Sequence, residues 1–272
     1  MTINKTVVYI LTLLGTLGIV VMRTVQSLIM VERGSGFFIE GYSTVAAAML
    51  IFMFAIIVIA AVYAFLYPKV PQKAPEKNGA IGIVSFLLAF AVIYEVLFTE
   101  ISVNTPFWQV VLHLTLGAAT TVIFFLHGIS AFAKFRVPPM LNIVPVLFWI
   151  IKLIIIFSNY SSLAAITENI FELASLCAIL VFILQFAKHQ NDITPSKTGR
   201  MLLPISVITF MLCAAYAVPQ IILYFSGNKN LAHTSNVTFI TSFAMMLFIG
   251  VYVYTCFKND NLTQKEKIKD EE

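Results

Sequence analysis

Charge is scarce in this chain. Asp, Glu, Lys and Arg make up 11% of its 272 residues, against about a quarter in an ordinary soluble domain, which excludes a water-exposed globular surface. The three cysteines, Cys177, Cys213 and Cys256, all fall inside apolar runs and lack metal-ligand spacing. That excludes a disulfide framework and leaves packing as their expected use. Basic clusters are missing as well. Lys and Arg occupy short polar breaks, with no basic face or recognised motif, so no nucleic-acid partner is expected. The chain has no G-x-S-x-G, no H-E-x-x-H, and no glycine-rich phosphate loop in a strand-to-helix context. No cofactor is expected.

What is present is apolar. Hydrophobic residues make up 60% of the chain and the mean hydropathy is +0.92. Eight runs are long enough to cross a bilayer, which takes about 20 residues. They cover 6–31, 42–67, 79–99, 106–133, 140–158, 162–187, 201–225 and 235–257. Pro, Gly, Asn and charge separate them, as in Pro68-Lys69-Val70-Pro71 and Val137-Pro138-Pro139. The first run is too long for the apolar part of a signal peptide and reads as a retained span. The expected fold is therefore all-α: a polytopic integral membrane bundle of about eight helices. Residues 1–257 form one transmembrane domain and residues 258–272 a charged tail that extends the last helix.

With the N-terminus in the cytoplasm, the segments on that side hold 13 basic residues, while the opposite loops hold only Arg33 and Lys229. The positive-inside rule then puts both termini in the cytoplasm of a cell membrane. The lipid bilayer is the expected partner, and a protein could dock on the cytoplasmic loops or tail. There is no convincing internal repeat, so an inverted-repeat transporter gains no support.

Five charges remain inside the spans: Arg23, Glu95, Lys152, Glu168 and Glu172. All lie in the outer half of their helices. Each costs at least roughly 2.5 to 3.5 kcal/mol in the hydrocarbon, so each needs a partner, a wet cavity or a function. Reading Ser158 to Ser162 as the turn between the fifth and sixth spans puts Lys152 and Glu168 each roughly 9 Å from it. They would then sit at matching depth on neighbouring antiparallel helices. Glu168 and Glu172 are spaced i, i+4 and share one helix face. Arg23 has Gln26 near it, the fourth span carries a stripe with Gln109 and His113, and the seventh carries Tyr216 and Gln220. A metal held by Glu168, Glu172 and His113 would have suitable ligand types, but Lys152 and Arg23 would repel it, so no metal is expected. His189 and His233 fall in expected loops. Gly82, Gly117 and Gly128 should allow close helix approach, and the glycine-rich aromatic loop 32–42 is an interfacial anchor or a lid.

The expected function is binding of a small polar or zwitterionic solute, or a lipid headgroup, in a charged cavity open to the outside. The chain would act as a carrier or as a sensing or accessory subunit. Arg23 and Lys152 would engage an anionic group, and Glu168 and Glu172 a cationic group or a proton. Glu95 and His113 would stand behind them, while Gln26, Tyr216 and Gln220 orient the ligand. One alternative is an intramembrane enzyme acting on a lipid-linked substrate, with a glutamate as base and Arg23 on a phosphate. The other is an assembly protein whose charges are only internal pairs.

Overall fold

The computed structural model describes residues 5–32, 38–67, 78–99, 105–133, 137–160, 167–191, 195–227 and 237–271. They form eight α-helices: α1 Lys5–Val25, α2 Ser43–Phe65, α3 Gly79–Phe98, α4 Phe107–Phe132, α5 Ile143–Tyr160, α6 Thr167–Gln190, α7 Pro195–Phe225 and α8 Thr238–Glu271. All eight contain a stretch long and apolar enough to cross a membrane. Helices are the form such segments must take, because lipid offers their backbone N–H and C=O groups no other partner. Among the described residues the only β pairing is an isolated antiparallel bridge between Val31 and Phe38. It follows a wide helical turn, Gln26–Met30, that ends the first span. Ile39 N–H then donates to Met30 C=O at 2.9 Å, and Gly41, at φ +93°, turns the chain into α2.

The helices from α3 to α8 form a closed circuit of neighbours. Each packs on the next, and α8 returns to α3. α1 and α2 pack on each other and on α7 from outside that circuit. α7 is thus central: 72% of its most apolar stretch is buried, against 22% for α1 and for α2. The outward faces carry Leu13, Leu14, Ile51 and Phe90, as suits lipid contact. An even number of spans leaves both ends of the chain on one side of the bundle, here called the termini end.

α3 and α4 share the most extensive pairing of the bundle, and glycine permits their close packing. A side chain at Gly82 would collide with Phe132, one at Gly128 with Phe86, and one at Gly117 with Val96 and Phe148. Small residues let membrane helices gain dispersion energy where no hydrophobic effect operates. α7 contains Pro204 and Pro219. Pro219 has no N–H to offer the carbonyl of Ala215, which loosens the helix beside Tyr216 and Gln220.

Two expectations need correction. Ser158, Asn159 and Tyr160 belong to α5 rather than to a turn, and α6 begins at Thr167; residues 161–166 lie outside the described residues. Polar residues at a span end did not stop the helix, because Ser, Asn and Tyr each cost under about 1 kcal/mol in a helix, far less than Pro. At its other end α6 continues to Gln190, so His189 is helical and not in a loop. His233 lies outside the described residues.

Candidate functional site

Lys152 lies about 12 Å along α5 from its Tyr160 end, too deep for its side chain to reach the surface. Phe148, Trp149, Ile155 and Ile156 around it are buried. Its Nζ instead meets Glu95 Oε1 of α3 at 2.6 Å, with both side chains no more than 2% exposed. α3 and α5 each flank α4, and the two long side chains bridge the interval. His113 of α4 feels the charge of both, and its ring lies 5.4 Å from that of Phe148. Cys213 of α7 is within the field of Lys152. On the α8 side, Thr241 Oγ1 donates to Ala91 C=O at 3.3 Å, one turn before Glu95.

This pairing differs from the expected one. Glu168 lies in the first turn of α6, about 1.5 Å from its start, and so about two turns nearer its helix end than Lys152 is to the Tyr160 end of α5. Its side chain lies outside the described residues. Glu95, expected to stand behind the ligand contacts, is the group that neutralises the lysine.

Several buried polar atoms of the pair and of the helices beside it are without partners among the described residues. Lys152 Nζ touches Glu95 off the direction a hydrogen bond requires. Glu95 Oε2, both ring nitrogens of His113, Gln109 Oε1, Thr120 Oγ1, Trp149 Nε1 and Ser242 Oγ are buried with no hydrogen-bond partner. Each such group costs about 1–3 kcal/mol. They supply acceptors on Glu95 and Gln109 and donors on Lys152, Trp149 and Thr120, the complement of a ligand carrying both a cationic and an anionic group.

A second seat holds Arg23, which is 1% exposed. Its Nη1 donates to Gln26 Oε1 at 2.5 Å, and Gln26 Nε2 donates to Ala46 C=O of α2 at 3.2 Å. The guanidinium lies 4.7 Å above the ring of Phe171 of α6, which stacks on Phe54 of α2 at 5.8 Å. Gln26 is three residues from Arg23, so their proximity was readable from spacing. Phe171 was not, since nothing separates it from the chain's other phenylalanines. The next residue, Glu172, is buried, and its C=O accepts from Ser175 Oγ at 2.8 Å. Tyr216 and Gln220, one turn apart on central α7, are also buried. The nine expected residues therefore resolve as follows: Glu95 and Lys152 pair, with His113 of α4 within the field of both; Arg23 and Gln26 meet; Glu172, Tyr216 and Gln220 are buried on α6 and α7; and the side chain of Glu168 is not described.

Toward the termini end the charged level gives way to an aromatic layer that sequence reasoning missed. Trp149 meets Phe124 edge-on at 6.4 Å, Phe124 meets Phe248 at 5.7 Å, and Phe248 meets Phe186 at 5.6 Å. Four helices, α4, α5, α6 and α8, each contribute. Below it polar pairs resume. His127 Nε2 and Asn142 Oδ1 bond at 2.7 Å. His189 Nδ1 lies 3.0 Å from the Tyr252 hydroxyl, to which Gln190 also donates at 3.4 Å. Among the described residues no cluster of His, Cys, Asp or Glu is disposed to hold a metal ion.

No family model, curated protein or solved structure matches the chain.

Proposed function

We propose that this chain is a cell-membrane protein that binds a small zwitterionic solute, or a zwitterionic lipid headgroup, from the extracytoplasmic side, acting as a carrier or as a sensing subunit. The surplus of basic residues in the termini-end segments supports a cytoplasmic location for both termini, so the charged level faces outward. The observation that carries the reading is the buried Lys152 and Glu95 pair at 2.6 Å, with buried polar atoms on the same and neighbouring helices that have no hydrogen-bond partner among the described residues.

A preformed lysine–glutamate pair is itself neutral, so it can wait in the membrane without an uncompensated charge. A zwitterion can part it and return two ion pairs for one, its anionic group on Lys152 and its ammonium on Glu95. An ion of one sign alone would leave the other partner buried and unpaired, which typically costs about 3–5 kcal/mol. The seat therefore selects for zwitterions by rejecting single charges. His113 and Gln109 orient the bound molecule. Arg23 and Gln26 receive the anionic end on the way in, with Glu168 and Glu172 for the cationic end and Tyr216 and Gln220 on the central helix between. The aromatic layer beneath closes the route to the cytoplasm.

The test is binding to the purified chain by calorimetry, with glycine, glycine betaine and phosphocholine as zwitterions and acetate and choline as single charges. At least one zwitterion should bind ten times or more tighter than either single ion, and replacing Glu95 and Lys152 together with methionine should abolish that binding. Equal binding of all five, or survival of zwitterion binding in the double variant, overturns the proposal. Release of a labelled headgroup from lipid would favour the enzymatic alternative.

A further inference from the structure

His113 can do more than orient a bound molecule, because histidine changes charge near neutral pH. The residue is 3% exposed, and neither ring nitrogen has a hydrogen-bond partner among the described residues. Neighbouring turns fix its place beside the lysine–glutamate pair. Gly117, one turn further along α4 on the same face, lies against Val96 and Phe148. Val96 follows Glu95 on α3, and Phe148 precedes Lys152 by about one turn on α5. The His113 ring itself lies 5.4 Å from that of Phe148. α4 packs on α3 and α5, whose described buried ionisable side chains are Glu95 and Lys152; both act on His113. On α4 itself the other ionisable group is His127, about 21 Å along the helix.

Gln109 is one turn from His113 on the same face of α4, and its Oε1 is a buried acceptor with no hydrogen-bond partner among the described residues. A neutral imidazole carries one N–H and an imidazolium two. With one N–H toward Gln109, the remaining nitrogen faces a guest as an acceptor when neutral and as a charged donor when protonated. Charge restrains the second form. Lys152 and Glu95 already cancel, so a proton on His113 leaves the seat at a net positive charge, which the membrane interior penalises. A zwitterion with equal numbers of positive and negative groups does not offset it; a second anionic group does. We infer that His113 takes up one proton when the seat fills with a zwitterion carrying one more anionic than cationic group, an amino dicarboxylate or a phosphorylated amine. The first anionic group lies on Lys152, the ammonium on Glu95 and the second anionic group on the imidazolium. The proton passes from water to a ring nitrogen, and no other bond changes. The inference rests on the zwitterion seat and names its substrate class and its coupling ion.

Calorimetry on the purified full chain at about pH 5.5 and about pH 7.0, on either side of the ordinary histidine value of about 6.5, tests it with aspartate and glycine in two buffers of different ionisation enthalpy. Aspartate should bind with about one proton taken up and at least about fivefold tighter at the lower pH, since one linked proton allows at most about tenfold per pH unit. Glycine should take up none. Histidine ring NMR should show one of the chain's four imidazoles becoming imidazolium when aspartate is added and not when glycine is. That signal should vanish in His113→Gln; if this variant does not fold, the signal should persist in His127→Gln, His189→Gln and His233→Gln, each made alone. The inference is overturned, and the seat left standing, if glycine binds and aspartate does not, if aspartate binds without a proton or equally at both pH values, if glycine brings a proton as well, or if the signal belongs to another histidine. If no zwitterion binds, the seat falls and this inference falls with it.

Discussion

Replacing Lys152 by methionine leaves the Glu95 carboxylate buried without its cation, and Glu95→Met leaves the ammonium equally stranded. At the 2.6 Å separation and an effective dielectric constant of about 20, the attraction between the two is about 6 kcal/mol. Desolvation offsets much of it, so each single change should destabilise by about 3–5 kcal/mol. The double change removes both charges together and leaves thioethers of similar volume among Phe148, Trp149 and Val92, which are already apolar and fully buried. It should fall within about 1.5 kcal/mol of the parent. The coupling energy in the double-mutant cycle should then be at least about 4.5 kcal/mol. Reversible unfolding in mixed micelles of dodecylmaltoside and sodium dodecyl sulfate, followed by circular dichroism, measures all four corners. If the two single effects sum to the double effect within about 0.5 kcal/mol, the residues act independently, and the pairing across α4 is refuted.

Three further outcomes follow from the packing. Gly117→Leu should destabilise by about 1–3 kcal/mol or more by overpacking against Val96 and Phe148, whereas Gly18→Leu, with nothing within 4 Å, should change stability by no more than about 0.5 kcal/mol; the same micelle unfolding compares them. Arg23→Lys keeps the charge but loses the fork on Gln26 and the flat stacking on Phe171, so it should cost about 1–2 kcal/mol, with little added by Phe171→Leu in the same chain. Phe124→Ala opens the aromatic layer at its junction with Trp149 and Phe248. It should cost about 3–5 kcal/mol and, if that layer seals the route, raise solute leakage from liposomes carrying the protein.

Reading spans from the sequence succeeded where one physical signal dominates. An apolar run ended by Pro, Gly or charge has few alternatives in a membrane, so α3 at Gly79–Phe98 and α4 at Phe107–Phe132 match the expected limits to within one residue. Partner choice does not follow from that signal, because it depends on which helices are neighbours. Glu95 is 57 residues from Lys152 in the chain, and their meeting depends on α3 and α5 both lying against α4. The nearer candidate, Glu168, looked correct only while Ser158 to Ser162 was taken for a turn. Adding Ser158, Asn159 and Tyr160 to α5 carries Lys152 deeper and removes the match. The aromatic layer was equally hidden. With 24 phenylalanines nearly every span carries several, and helical spacing cannot say which of them meet.

The lysine–glutamate pair could serve register alone, but its surroundings argue otherwise. A pair that only fixes α3 against α5 works best in an apolar jacket, since apolar neighbours strengthen its attraction and need no partners of their own. Here the same and neighbouring helices carry His113, Thr120, Trp149 and Ser242, whose side-chain polar atoms, together with Gln109 Oε1, find no hydrogen-bond partner among the described residues. At about 1–3 kcal/mol for each stranded group, the total approaches the roughly 5–15 kcal/mol by which proteins are stable at all. A bundle could not carry that cost for the sake of register, when valine or leucine at the same positions would remove it. Among the described residues these groups have no hydrogen-bond partner, and a mixture of acceptors and donors beside a neutral pair is what a molecule with two opposite charges would satisfy. On the proposed reading, the same feature that makes the site expensive as a scaffold makes it selective as a receptor. A variant with His113, Gln109 and Thr120 all replaced by leucine or valine should therefore be more stable than the parent and unable to bind; a triple variant that is less stable, or that still binds, breaks this link.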